Sequence, residues 1–340
     1  MITDNIAKHN SSISKSMQNI FSDREASIYR IMEYQIGLRD ELGESTFGIE
    51  NNRIWKLGIL ALLISESASN SLEFDVSNSV SLELLKLFTE VHIDIGEGVQ
   101  YRNNRPTLWA LHGPAQAINV GDGLHAMARL ALVNSTSPSS KENLYERLKF
   151  LENSSLLLCE GIHEDLSSLE KIDFFVNDYF IMVQKKIASL FECAFQLALC
   201  GTDILRQHAT IITSLAQNIA YASQITSDIN SIWPESNTLD HNSLDLLNKK
   251  KTFPIVMAFS ESDVSQKREL ANLFYQRVIS EEDVQKITDL LTSLDIKNKS
   301  QKYINEYFDL IIDGFSQLGL SLSVESDLLA FIKYICLDSQ

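Results

Sequence analysis

The chain is poor in residues that interrupt or staple a fold. Five prolines and 13 glycines in 340 residues are too few for an all-β chain, which needs turn residues between every pair of short strands. The four cysteines, Cys159, Cys193, Cys200 and Cys336, stand in apolar text without the paired spacing of a metal site or disulfide framework. Reduced, buried thiols of a cytoplasmic protein are therefore expected. The first 19 residues lack the apolar centre of a secretory signal, and no apolar run reaches membrane-spanning length. Basic residues are scarce as well, 29 Lys and Arg against 45 Asp and Glu, for a formal net charge of -16. A nucleic-acid-binding face, which needs a basic surface, is excluded, while a local cluster of cations is not.

What is present is helical text. A hydrophobic content of 44% is enough for a large core. Residues 1–20 are polar, rich in serine and asparagine, and read as a flexible arm; residues 21–340 read as one domain. A first helix is expected after Ser22-Asp23, carrying Ile28, Ile31, Met32, Tyr34 and Leu38, and an apolar helix over 56–69. The following helix carries Leu84, Leu85, Leu87, Phe88 and Val91, and it ends with Asp94 and Glu97 on one face. Past Gly98 comes a basic, proline-marked run with Arg102, Arg105 and Pro106. Carboxylates followed by arginines suit a polyanion bridged to the protein by a divalent metal, and diphosphate is the obvious candidate.

Three stretches resemble the trans-isoprenyl diphosphate synthases (polyprenyl synthetases) and the class I terpene cyclases that share their fold. Where that family reads H-D-D-x-x-D, R-R-G-x-P-T and G-x-x-x-A-I-N-x-G-D, this chain has His92-Ile93-Asp94-Ile95-Gly96-Glu97, Arg102-Asn103-Asn104-Arg105-Pro106-Thr107, and Gly113 through Ala117-Ile118-Asn119-Val120-Gly121-Asp122. Further on, Lys186-Ile187-Ala188-Ser189-Leu190 resembles K-T-A-S-L. Gln224-Ile225-Thr226-Ser227-Asp228-Ile229-Asn230-Ser231 falls on Q-I-x-D-D-x-x-D, and Lys249-Lys250-Lys251-Thr252-Phe253-Pro254 falls on G-K-x-T-x-P. The resemblance covers roughly residues 50 to 335. It implies an all-α, single-domain helical bundle around a central cavity, and a homodimer or a heterodimer with a related synthase, packed through residues 109–135.

The resemblance also implies a site. In the family, magnesium held by the two aspartate motifs clamps an allylic diphosphate and draws off charge as the carbon–oxygen bond breaks. Carried onto this chain, Asp94, Glu97 and Asp228 are the catalytic carboxylates, and these three with Asn230 are the magnesium ligands. Arg102, Lys186, Lys250 and His92 are the diphosphate-binding residues, and Phe88 and Gln224 line the cavity. Ile93 and Ser227 replace the leading aspartates of the two motifs.

The lysine and arginine that bind isopentenyl diphosphate fall on Ile54 and Leu57, or in another register on Asn52 and Trp55, and the second arginine of R-R-G is Asn103. A diphosphate does not enter a pocket without compensating cations. The allylic side is better kept than the isopentenyl side. The expectation is therefore an enzyme that binds an allylic prenyl diphosphate with magnesium, ionises it, and cyclises it or transfers it to an acceptor other than isopentenyl diphosphate. Two alternatives stand beside it: a chain-elongating synthase in which Arg53, Lys56 or Arg105 replaces the missing cations, and a noncatalytic partner subunit of a synthase.

Overall fold

The computed structural model describes residues 4–46, 53–68, 75–171, 173–234, 244–320 and 322–337. Asn52, one of the two register alternatives above, lies outside them. The described chain is all-α, as expected, apart from one two-stranded hairpin. Its contacts group it into two compact units: Met1–Leu156 with Glu192–Ala209 and Gly319–Leu329, and Leu157–Phe191 with Thr210–Leu318 and Ala330–Gln340.

The first unit opens with α1 (Asp4–Asn19), and this corrects the expectation of a flexible arm. Ile6, Ile13 and Met17 of α1 are buried, with His9 among them. Their spacing of seven and four residues draws one narrow stripe on a helix otherwise made of serine, asparagine and lysine, which is why composition alone reads the segment as unstructured. Helix α2 (Ser27–Ile36) starts later than Ser22-Asp23 predicts, after Ala26, and stops at Gly37, whose φ of 90° forms a left-handed C-cap.

Helix α3 (Lys56–Ala68) is buried nearly all round, from Leu57 through Ile64. Its first-turn amide at Gly58 has no partner within the helix. The Glu83 carboxylate, from α4 (Val76–Glu97), accepts it at 2.8 Å, and the Ser79 hydroxyl donates to the Gly58 carbonyl at 2.9 Å. A Cβ at Gly58 would lie 2.9 Å from Ile13 Cδ1 and 3.1 Å from Ser79 Cβ, so an added methyl would crowd α1 and α4 here. Burial raises the pKa of Glu83.

The hairpin β1 (Tyr101–Arg102) and β2 (Arg105–Pro106) follows α4, with Asn103 and Asn104 at its tip, at φ of 51° and 58°. Two positive-φ residues between paired strands make the mirror-image turn that hairpins favour, and asparagine tolerates that backbone. Helix α5 (Leu108–His112) then leads into α6 (Pro114–Val133), which makes the most extensive helix pairing of the unit, against α4.

In the second unit, α9 (Val176–Val183) runs into a π-helical turn, Gln184–Ala188. Helix α12 (Ala209–Ile232) carries the second aspartate region, and α13 (Leu244–Leu247) precedes the lysine run. Helix α14 (Phe253–Glu261) packs on α9 and on α17 (Ile296–Ser316). Rings of Tyr179, Phe180, Tyr221, Phe253, Tyr303 and Tyr307 meet between these helices at centroid distances of 4.8 to 6.5 Å.

Candidate functional site

In the first unit the retained aspartate is bound by the protein itself. Asp94 is 3% exposed, and its Oδ1 accepts hydrogen bonds from Arg102 Nε at 2.9 Å and Arg102 Nη2 at 2.5 Å. The hairpin folds the arginine back over the end of α4. Burial pushes the Asp94 carboxyl up to about 6 although Arg102 pulls the other way. Burial likewise opposes the charge on Arg102, yet Asp94 outweighs it and the guanidinium pKa is raised. One turn earlier, Glu90 takes Arg53 Nη2 at 3.3 Å and Lys86 Nζ at 3.4 Å. Burial alone would raise the Glu90 pKa, but these cations together with Arg102 bring it down to about 2.

The cations expected to compensate on the isopentenyl side are largely engaged. Besides Glu90, Arg53 donates to the Gln35 carbonyl at 3.0 Å and lies over the Trp55 ring. Arg105 donates to the carbonyls of Tyr34 and Arg39 at 3.1 and 2.9 Å and sits 4.2 Å over the Tyr34 ring. Both arginines hold backbone in place. His92 rests with Nδ1 3.1 Å from the Phe88 carbonyl and Nε2 3.6 Å from Asp122 Oδ1. Phe88, expected on the cavity wall, is 8% exposed, and its ring lies between the imidazoles of His92 and His125, with centroids at 4.7 and 4.8 Å. Burial lowers the pKa of His125.

In the second unit Asp228 is 4% exposed and held by three donors. Its Oδ2 accepts the Tyr179 hydroxyl at 2.8 Å and the Phe253 amide at 2.7 Å, and its Oδ1 accepts Gln224 Nε2 at 2.7 Å. Burial pushes this carboxyl up to about 6 against those donors, and burial and the neighbouring carboxylate raise the Tyr179 phenol well above its usual value. Asp228 therefore joins α9, α12 and the first turn of α14. Ser231 turns its hydroxyl to the Asp228 carbonyl at 2.9 Å.

Around Asp228 lies a small pocket of about 390 Å³ including its open mouth, lined by Lys186, Lys250, Lys251, Thr252, Asp165 and Asp245 among others. The π-helical turn aims Lys186 into it. Ser189 Oγ donates to the Lys185 carbonyl at 2.6 Å, and Gly161 of α8 (Leu144–Ser168) lies against the turn. A Cβ on Gly161 would sit 2.5 Å from the Lys186 amide nitrogen, so this closeness requires glycine. Local widening of a helix at a charged side chain is a common mark of function.

Lys185 points elsewhere, to Glu160 and Glu164 at 3.1 and 2.6 Å. Lys186 is paired with Asp165, and Lys250 Nζ with Asp245 Oδ1 at 3.0 Å. Lys249, where the family pattern has glycine, keeps a positive φ of 56°. Lys251 is 3% exposed, donates to the Tyr275 hydroxyl at 2.9 Å and lies over the Phe274 and Tyr275 rings. Burial brings its pKa down to about 8.

The structure thus gathers Asp228, Lys186, Lys250 and Gln224 at one pocket. Sequence reasoning missed Asp165, Asp245, Lys251 and the anchoring role of Tyr179. A charge run reads as a solvated face; the match to G-K-x-T-x-P raised only Lys250 above that, and nothing in the sequence signalled that Lys251 is buried.

The divalent-metal site implied by the resemblance does not fit these donors as they stand. Among the described residues no three His, Cys, Asp or Glu side chains are grouped to hold a metal ion. Asp94 and Asp228 are taken up by Arg102 and by Tyr179, Gln224 and Phe253. At the leading motif positions Ile93 offers no oxygen and Ser227 only a neutral one.

(2E,6E)-Farnesyl diphosphate synthase of Mycobacterium tuberculosis is 25% identical over 242 residues, 70% of this chain and 65% of that protein, so the match spans just under two thirds of that relative. Geranylgeranyl diphosphate synthase of Saccharolobus solfataricus is 25% identical over 247 residues, 72% of this chain and 73% of that one. The Mycobacterium tuberculosis geranylgeranyl diphosphate synthase is 28% identical over 261 residues, 76% and 72% of the two chains.

Among solved structures, a polyprenyl synthetase from Streptomyces coelicolor A3(2) superposes with a TM-score of 0.85 at 22% identity, covering 98% of this chain and 99% of that one. At that identity the likeness establishes the all-α isoprenoid synthase fold. The sequence profile of the polyprenyl synthetases matches residues 58–291, well over half of the chain, and the chain belongs to the polyprenyl synthetase family.

Proposed function

We propose that the chain is a prenyl diphosphate synthase of the farnesyl and geranylgeranyl type, which binds an allylic prenyl diphosphate and lengthens it with isopentenyl diphosphate. The observation that carries this reading is the pocket in which Lys186, Lys250 and Thr252 converge beside Asp228. Lysines and a hydroxyl in a partly desolvated recess are what a diphosphate needs in exchange for its water. The relatives, farnesyl and geranylgeranyl diphosphate synthases, favour elongation over cyclisation or transfer to another acceptor, which the lost cations in the sequence predict. On this reading isopentenyl diphosphate meets His92, the residue of the family's isopentenyl-side set that this chain keeps, while Arg53 and Arg105 are bound to Glu90 and to backbone carbonyls.

Magnesium at Asp94, Glu97, Asp228 and Asn230 rests on family resemblance alone, and the donor set speaks against it. A cytoplasmic location and a dimer through residues 109–135 belong to the same proposal. Among the described residues no helix is long and apolar enough to cross a membrane, and Leu111, Ile118, Leu130 and Val133 present apolar surface on that stretch. Light scattering on the purified protein tests the dimer.

A second reading, the noncatalytic partner subunit, is favoured by one specific observation: the two surviving aspartates are those that the protein binds itself. Product analysis after incubation with farnesyl or geranylgeranyl diphosphate, with and without isopentenyl diphosphate, separates the readings. A longer prenyl diphosphate appearing only when both are present supports elongation. A hydrocarbon or alcohol appearing without isopentenyl diphosphate would show cyclisation or hydrolysis instead. Silence, together with copurification of a homologue bearing a complete D-D-x-x-D motif, would establish the subunit.

A further inference from the structure

We propose that Asp165 and Asp245 are built-in stand-ins for the phosphate groups of the ligand, competing with a diphosphate for Lys186 and Lys250. The inference takes only the class of ligand from the proposed function. Three observations carry it. Each family-matched lysine of the pocket is in contact with a carboxylate, Lys186 with Asp165 and Lys250 with Asp245. Both carboxylates line the same pocket as the lysines they hold. All four side chains are shielded, with side-chain exposures of 16% and 14% in the first pair and 24% and 26% in the second, so solvent screens these contacts less than ordinary surface pairs.

The remaining lining groups fit this division of labour. Asp228, the third carboxylate, is taken up by Tyr179, Gln224 and Phe253, which tie it to the helices around the pocket. Thr252 is 4% exposed and lines the same pocket, and among the described residues its Oγ1 has no hydrogen-bond partner. Other buried hydroxyls, those of Ser77, Ser81 and Ser262, are also unsatisfied, but Thr252 stands beside the two paired lysines, where a ligand oxygen can meet it. An anion that enters takes the lysines from the two carboxylates and the hydrogen bond from Thr252. A single phosphate competes poorly, because displacing one carboxylate leaves the other pair closed. A diphosphate engages both lysines, so the two pairs act as a filter for diphosphates over monophosphates and sulfate.

The test is a calorimetric titration of the full chain with inorganic diphosphate, orthophosphate and sulfate, with magnesium and with a chelator, comparing wild type with Asp165→Asn, Asp245→Asn and the double variant. Asparagine keeps size and polarity and removes the competing charge. The expected result is roughly tenfold tighter diphosphate binding in each single variant, more in the double variant, and the appearance of orthophosphate binding, with thermal melting verifying that each variant is folded. Unchanged or weaker diphosphate binding in the folded single variants, or no binding by any form, would overturn the proposal.

If a variant unfolds, Lys186→Gln and Lys250→Gln decide: each is expected to lower diphosphate affinity at least tenfold, and wild-type affinity in both would overturn it. Farnesyl diphosphate is titrated in parallel, so that a free diphosphate ligand and a prenyl diphosphate head group are told apart. Because no step requires isopentenyl diphosphate or a product, tighter binding without turnover would leave the inference standing while the elongation reading fell.

Discussion

The Tyr179 hydroxyl donates to Asp228 Oδ2 at 2.8 Å, and the same oxygen accepts the amide of Phe253 at 2.7 Å. One carboxylate thereby caps the first turn of α14, where amides lack partners within the helix, and ties α12 to α9. This accounts physically for aspartate at position 228 whether or not a metal is ever bound, and it bears directly on pH dependence.

Asp228 has its folded pKa raised to about 6, above the ordinary value of 3.8. The folded state therefore holds the proton more tightly than the unfolded state between about pH 4 and 6. The contribution of this group is least favourable above pH 6 and improves as pH falls through that window. Asp228→Asn does not titrate, so wild type is expected to gain about 2 kcal/mol on the variant between pH 7 and 4. Urea unfolding of both proteins at several pH values measures this, and parallel pH profiles would contradict it.

Arg147 and Asp75 form a buried ion pair at 3.0 Å, with side-chain exposures of 6% and 9%. Asp75 also caps α4 through the Ser77 amide and accepts the Ser135 hydroxyl at 2.8 Å, and Arg147 reaches Asn78 at 3.1 Å. Arg147→Ala leaves that carboxylate buried without its cation and is expected to cost about 3–5 kcal/mol. Denaturant midpoints at pH 7 test this, and a loss below 1 kcal/mol would mean that water replaces the pair.

Gly161→Ala places a methyl group 2.5 Å from the Lys186 amide nitrogen. Backbone rather than a flexible side chain must yield, so a loss of about 1–3 kcal/mol is expected. Diphosphate binding should weaken with it, because the turn that aims Lys186 is displaced. Gly43→Ala, where the added Cβ meets nothing within 4 Å but the φ of 81° strains any side chain, costs stability through the backbone alone and should leave diphosphate binding unchanged.

Lys185 and Lys186 are adjacent, yet one pairs with Glu160 and Glu164 outside the pocket and the other lines it. Lys186→Ala is expected to weaken farnesyl diphosphate binding by tenfold or more, and Lys185→Ala by less than twofold. Equal effects would show that the π-helical turn does not sort the two side chains.

Much of this was legible in the sequence, for reasons that differ by element. The apolar text of α3 and the heavy apolar face of α4 announce themselves, because burial demands many adjacent hydrophobic residues. The spacing of Asp94 and Glu97 was equally readable. Which donors would take up Asp94 was not, since Arg102 returns through a hairpin whose turn rests on two left-handed asparagines. Asp165 and Asp245 gave no signal at all. Their meaning lies in lysines 21 and five residues away, brought near by a π-helical turn and a short helix that periodicity cannot foresee. Helix α1 was hidden by its polar composition although its three apolar residues suffice to pin it.

Elongation is decided by incorporation of labelled isopentenyl diphosphate into acid-labile prenyl product, with farnesyl diphosphate as the allylic partner. Elongation by this chain predicts label in a longer prenyl diphosphate, lost in Lys186→Ala and Lys250→Ala. Absence of label from a folded protein that still binds farnesyl diphosphate would contradict elongation and leave the binding pocket as the property of a noncatalytic subunit.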